Sequence, residues 1–213
     1  MAVLMNSKLY RKFTHDILNL TGRLQSVASL LDPNDPPSRE DLAMTRRLIE
    51  QDSHKLNAAL RLFCLTHWLQ AEPDMQQDEL DLSLLLQEVV APHLSHPETP
   101  VVLGMPEQPL RLTSARDILQ PLLEELLHNA VAHSAASTAV DINTDQDGDT
   151  ITIEFSNTPL APLPENHTES LTTRPESPGM GLGLVFAHKA ASHLNGNLSF
   201  HEEGGFVKVR LTL

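Results

Sequence analysis

Between Tyr10 and Leu31 the apolar side chains recur at Tyr10, Phe13, Ile17, Leu20, Leu24, Val27 and Leu31, in alternating steps of three and four residues. Only a helix gathers such positions into one stripe, and the underlying repeat of seven marks a coiled-coil type of seam. The spacing predicts one helix from Leu4 to Leu31, roughly 28 residues and about 42 Å long at 1.5 Å per residue. The stretch Asp32-Pro33-Asn34-Asp35-Pro36-Pro37-Ser38 cannot continue it, because proline lacks the amide N–H and crowds the preceding turn. Ser38 is suited to cap a second helix, with Glu40 and Asp41 in its first turn. That helix, 39–69, repeats Leu42, Ile49, Leu56 and Phe63 seven apart, while its intermediate seam positions Thr45, Asp52, Ala59 and Thr66 are small or polar. Two such helices cannot bury a whole seam alone, so the pattern predicts a helical hairpin completed by a second copy as a dimeric four-helix bundle.

After the polar segment Glu72–Asp78 the texture changes to short β-like runs and amphipathic helices. The boundaries read as a helical hairpin over 1–70, a linker over 71–78 and a second domain over 79–213. Within that domain the pattern predicts a strand at 79–82, a helix at 83–95, strands at 100–104 and 109–113, and a long helix at 115–133. Strands at 138–144 and 150–156 follow, joined through Gln146-Asp147-Gly148-Asp149, whose Asp-Gly pair suits a tight hairpin turn. A loop at 158–178, a glycine-led helix at 181–194 and two closing strands at 196–201 and 205–213 complete the chain. Helices mixed with adjacent antiparallel strands imply an α+β layered sandwich.

Composition narrows the function. The 213 residues carry 15 Lys and Arg against 28 Asp and Glu, a formal charge of −13. That charge repels phosphate backbones and anionic lipid, with no basic block to offset it, which argues against nucleic-acid and membrane-surface partners. The start, Met1-Ala2-Val3-Leu4-Met5, is interrupted too soon by Asn6, Ser7 and Lys8 to be a secretory signal, and no apolar run is long enough to span a bilayer. The expectation is a cytoplasmic protein without a membrane span. The one cysteine, Cys64, cannot form an internal disulfide, and the eleven histidines show no zinc-type spacing.

Three groups of residues carry candidate chemistry. In the heptad frame of the first helix, His15 falls opposite the seam and faces solvent, with Asp16 beside it and Asn19 one turn on. An imidazole whose one nitrogen is held protonated by an acid offers the other as a nucleophile for a phosphoryl group; a solvated surface histidine is the alternative. On the helix at 115–133, Glu125, Asn129 and His133 recur every four residues on one face. An amide oxygen beside a carboxylate can hold a hydrated Mg²⁺, while the plain alternative is the polar face of an amphipathic helix. The run Gly179-Met180-Gly181-Leu182-Gly183 opens a helix, where small residues let phosphates approach exposed backbone N–H groups. It matches neither the Walker spacing nor a Rossmann turn.

In this order, and over nearly the whole chain, these residues resemble the catalytic core of a two-component sensor histidine kinase: a dimerisation and histidine-phosphotransfer hairpin, then an ATP-binding domain of the type shared with Hsp90, gyrase B and MutL. His15-Asp16-Ile17-Leu18-Asn19 resembles the H box, Glu125–His133 the N box, and Gly179–Leu184 the second glycine box. Leu171-Thr172-Thr173-Arg174-Pro175 resembles the Phe-Thr-Thr-Lys-Pro stretch of nitrogen-regulation-type kinases. The resemblance implies that ATP and Mg²⁺ sit against Asn129, the metal-bearing residue, with Glu125 and His133 nearby. Thr173 and glycines 179, 181 and 183 would surround the nucleotide, with Asn157 at the base. It implies transfer of the γ-phosphoryl group to His15, with Asp16 orienting or deprotonating the imidazole. A response-regulator receiver aspartate would then take the group, and Asn19 would position water for a phosphatase activity. Implied partners are that receiver domain, a second copy through the hairpin, and an upstream sensor or partner kinase.

The chain departs from the pattern twice. Leu20 stands where the H box has proline, and Ser156-Asn157-Thr158-Pro159-Leu160-Ala161 stands where the first glycine box has Asp-x-Gly-x-Gly. Asn157 can accept a hydrogen bond from an adenine amino group but without the charge of a carboxylate. The second reading is therefore a non-ATPase histidine phosphotransfer protein whose nucleotide site is degenerate. A third is a serine kinase or chaperone-type ATPase of the same superfamily, which leaves the hairpin histidine unexplained.

Overall fold

The computed structural model describes residues 14, 15, 17–26, 38–71, 76–94, 99–106, 108–160 and 182–213. The chain divides into two compact units, Met1–His67 and Trp68–Leu213. In the first, helix α1 covers residues 14, 15 and 17–26, and helix α2 spans Arg39–Gln70. Ser38 starts α2 as a capping box: its Oγ accepts from the Asp41 N–H at 3.1 Å, and Asp41 Oδ2 accepts from the Ser38 N–H at 3.1 Å. The Ser38 hydroxyl, donating to Asp41 Oδ2 at 2.6 Å, and then the Ser38 N–H hold the Asp41 carboxyl below its usual pKa.

Of the α1 seam, Leu20 is buried and Ile17 and Leu24 half-buried, while Tyr10, Phe13, Val27 and Leu31 lie outside the described residues. On α2 the two rows exchange roles. Asp52, Ala59 and Thr66, the small and polar row, are buried, whereas Leu42 and Ile49 remain 47% and 39% exposed within a single chain. Small side chains let the two helices of one hairpin approach closely, and Arg23 of α1 reaches Asp52 at 3.3 Å. Of the apolar row, Leu42 and Ile49 are left on the outside, while Leu56 and Phe63 are half-buried.

The second unit is a helix-covered sheet with a small accessory sheet. Strand β1 (Asp78–Asp81) pairs antiparallel with β3 (Arg111–Ser114) as a two-stranded sheet. Between them lie helix α3 (Leu82–Val90), capped by the Asp81 carboxylate on the Leu84 N–H at 3.0 Å, and strand β2 (Val101–Gly104). α3 is shorter than its pattern suggests, because a 3₁₀ turn containing Pro92 replaces its last turn. Helix α4 (Arg116–Ala132), strands β4 (Val140–Asp147) and β5 (Thr150–Asn157), helix α5 (Leu182–His193) and strands β6 (Asn197–Glu203) and β7 (Phe206–Thr212) follow. The large sheet has five strands in the order β2-β4-β5-β7-β6, antiparallel except for the β2–β4 pair.

One face of that sheet is apolar and the other charged. Val140, Ile142, Ile151, Ile153, Phe155 and Leu211 are fully buried, as are Leu119, Leu122, Leu123 and Leu127 of α4 and Phe186 and Ala190 of α5. On the opposite face Glu154 pairs with Arg210 at 2.7 Å and with Lys208 at 3.7 Å. The turn between β4 and β5 is centred on Gly148 and Asp149, with Gly148 at φ +60. This is the II′ pattern, one residue later than the Asp147-Gly148 pair suggests. The α+β architecture expected from the sequence is the one observed.

Candidate functional site

His15 and Asn19 occupy the outer face of α1, both exposed. The amide Nδ2 of Asn19 lies 3.2 Å from His15 Nδ1, one helical turn away. The same Nδ2 lies 3.5 Å from His15 Nε2, so the amide sits beside both nitrogens of a solvent-facing imidazole. Asp16 lies outside the described residues.

A second cluster is built on α4, α5 and the end of β5. Glu125 and Asn129 are half-buried on one face of α4, and the Asn129 amide donates to Glu125 Oε1 at 2.9 Å. That bond fixes the amide rotamer and leaves its oxygen free for a hard cation, the donor type Mg²⁺ prefers. His133 stands one turn further on, exposed, and its backbone closes the helix by donating to the Asn129 carbonyl at 3.1 Å. Gly183, buried in the first turn of α5, sits on the Glu125–Asn129 pair. A Cβ there would meet Glu125 Cδ at 2.7 Å and Asn129 Nδ2 at 3.2 Å. The glycine therefore has a steric reason: it lets α5 close over the polar pair of α4.

Asn157 ends β5 in phase with Ile151, Ile153 and Phe155, so its side chain lies on the helix-covered face of the sheet. It is only 4% exposed, and its Nδ2 has no hydrogen-bond partner among the described residues. The segment that follows is tied to the end of α4. Ala135 N–H donates to the Thr158 carbonyl at 2.8 Å, Leu160 N–H donates to the His133 carbonyl at 2.9 Å, and Ser134 bridges Pro159. The orphaned amide thus lies where β5 meets the end of the helix that carries Glu125, Asn129 and His133.

Residues 114–213 match the family model of the histidine kinase-, DNA gyrase B- and HSP90-like ATPases. The C-terminal unit has the fold of this ATPase family. The structure is similar to that of the histidine kinase AdeS of Acinetobacter baumannii, with a TM-score of 0.64 and 18% identity, covering 93% of this chain and 94% of that one. It is also similar to full-length ShkA solved with AMPPNP, with a TM-score of 0.63 and 18% identity over 97% of this chain and 45% of that one. A histidine kinase from Burkholderia phymatum matches with a TM-score of 0.52 and 17% identity over 96% of both chains. At these identities the likeness is one of fold. A comparison with curated proteins returned no match.

Of the residues singled out by sequence, the C-terminal unit brings Glu125, Asn129 and Gly183 into contact and buries Asn157 at the neighbouring strand end. Thr173, Gly179 and Gly181 lie outside the described residues. Sequence reasoning missed the Arg23–Asp52 pair, although an acid in the seam between Thr45 and Ala59 was its signal. It also missed the contact role of Gly183, for which the sequence holds no signal. No helix among the described residues is long and apolar enough to cross a membrane.

Proposed function

We propose that this chain is a histidine kinase that transfers the γ-phosphoryl group of ATP to His15 and onward to the aspartate of a response-regulator receiver domain. The observation that carries this reading is an exposed imidazole, bonded to Asn19, on a helical hairpin joined in one chain to an ATPase-type core. Asn129, held by Glu125, offers its amide oxygen to Mg²⁺, and the buried amide of Asn157 offers polar atoms to the base. Mg²⁺ would neutralise charge developing on the phosphates. His15 attacks the γ-phosphorus through a ring nitrogen, the bond from phosphorus to the β–γ bridging oxygen breaks, and ADP leaves. The ring proton passes to a base, the role assigned to Asp16. Asn19 has a second role in positioning water for dephosphorylating the receiver.

Exposed Leu42 and Ile49 supply an apolar row for a second copy, which supports a homodimer through the hairpin. The domain limits 1–70 and 79–213 around a linker at 71–78, an upstream sensor or partner kinase, and a cytoplasmic location belong to the same proposal.

Calorimetry with Mg·ATP on the wild-type chain and on Asn129→Ala tests the nucleotide half. Wild type is expected to bind and the variant to bind at least about tenfold more weakly, the loss of one charge-assisted contact. No binding to wild type would move the reading to an ATP-independent phosphotransfer protein, in which His15 accepts phosphate from a phosphorylated receiver.

A further inference from the structure

A buried amide nitrogen with no partner is costly in a folded chain, and Asn157 is otherwise placed in an apolar column. Ile151, Ile153 and Phe155 precede it on the same face of β5, each 3% exposed or less. An apolar residue would complete that column, whereas the amide leaves Nδ2 without a partner among the described residues. Such a group is explained by a ligand atom that accepts its hydrogen bond.

The position of the amide limits which ligand. The chain after Asn157 is fastened to the last turn of α4 through Ala135–Thr158 and His133–Leu160, so the amide shares its corner of the domain with the face that carries Asn129. If that face holds phosphates and Mg²⁺, as proposed above, the ligand group beside Asn157 is the base of the nucleotide.

The chemistry of an amide then sets the choice of base. A carboxylate at this position would offer acceptors alone: it would take the exocyclic amino group of adenine and repel a carbonyl oxygen. An amide offers one donor group and one acceptor. Adenine presents N6–H to the amide oxygen and N1 to the amide N–H. A 6-keto purine presents N1–H to the amide oxygen and O6 to the amide N–H. Either edge satisfies the orphaned Nδ2.

We infer that Asn157 makes this nucleotide site accept 6-keto purine nucleotides as well as adenine nucleotides. The inference rests on the nucleotide-binding reading of the site. ADP and inosine diphosphate are the probes, because they differ only at the edge that Asn157 would read.

Calorimetry with Mg²⁺ on the full chain gives both affinities. The expected result is wild-type affinities within tenfold of each other; inosine diphosphate binding more than tenfold weaker than ADP overturns the inference and leaves nucleotide binding standing. Asn157→Asp is expected to shift the ratio at least tenfold toward ADP, and an unchanged ratio in a folded variant removes Asn157 as its cause. Asn157→Ser, which keeps a donor and an acceptor, is expected to retain the wild-type ratio and covers the case in which the aspartate variant does not fold. A serine variant with the ratio shifted tenfold toward ADP also overturns the inference. Failure of the wild-type chain to bind either nucleotide overturns the nucleotide reading and this inference with it.

Discussion

Gly183→Ala probes the contact on which the α4–α5 pairing turns. The new Cβ would lie 2.7 Å from Glu125 Cδ and 3.2 Å from Asn129 Nδ2, and closer still to Glu125 Oε1. The clash falls on the end of a flexible side chain, so Glu125 swings away and gives up its bond to Asn129 rather than forcing the helices apart. A hydrogen bond to a charged group contributes about 1.5–3 kcal/mol, and alanine exceeds glycine in helix propensity by about 0.8–1.0 kcal/mol. The net expectation is a loss of about 0.5–2 kcal/mol. Glu125→Ala removes the clash and the bond together. In that background Gly183→Ala is expected to be neutral or to stabilise by up to about 1 kcal/mol, a change of sign. The assay is urea unfolding of the four full-length proteins by far-ultraviolet circular dichroism, read as a double-mutant cycle. Equal destabilisation by Gly183→Ala in both backgrounds, within about 0.5 kcal/mol, would refute the reasoning and place the constraint in the backbone.

His188 packs its ring 5.6 Å from that of Phe200, and burial pushes its pKa below the usual value of 6.5. The unfolded chain therefore binds the proton first, so its contribution to stability is present above about pH 6.5 and is lost as pH falls through the lower folded value. His188→Gln is expected to flatten the fall in Tm between about pH 7 and 5. Arg23→Ala strips the Asp52 carboxylate of its partner while its side chain is only 2% exposed. The expected cost is about 1–2 kcal/mol in urea unfolding, below the 3–5 of a fully buried pair because Arg23 is 56% exposed. Asp52→Leu should cost less than Arg23→Ala, and the reverse order would show that Asp52 is not held by that pair.

Local patterns made most elements legible. Period-seven spacing located α1 and α2, short β-like runs located β5 and β7, and Ser38 with Asp41 marked the start of α2 because capping chemistry is written in adjacent residues. What a single sequence does not encode locally was not legible. The parallel β2–β4 pair and the separate β1–β3 sheet depend on strand order across a crossover through α4. The row of α2 that faces inward depends on how closely two helices approach, and small side chains at Asp52, Ala59 and Thr66 won over the apolar Leu42 and Ile49. At the site, the i,i+4 spacing of Glu125 and Asn129 exposed their pairing in advance. The steric need for Gly183 and the orphaned nitrogen of Asn157 arise only when α5 and β5 are brought against α4.

Autophosphorylation at His15 is the central claim, and label from γ-labelled ATP with Mg²⁺ tests it most directly in wild type and His15→Gln. Acid-labile, base-stable label on wild type alone, with nucleotide binding equal in the two proteins, is the expected result. Undiminished label on His15→Gln, or no label on a wild-type chain that binds ATP, would contradict it.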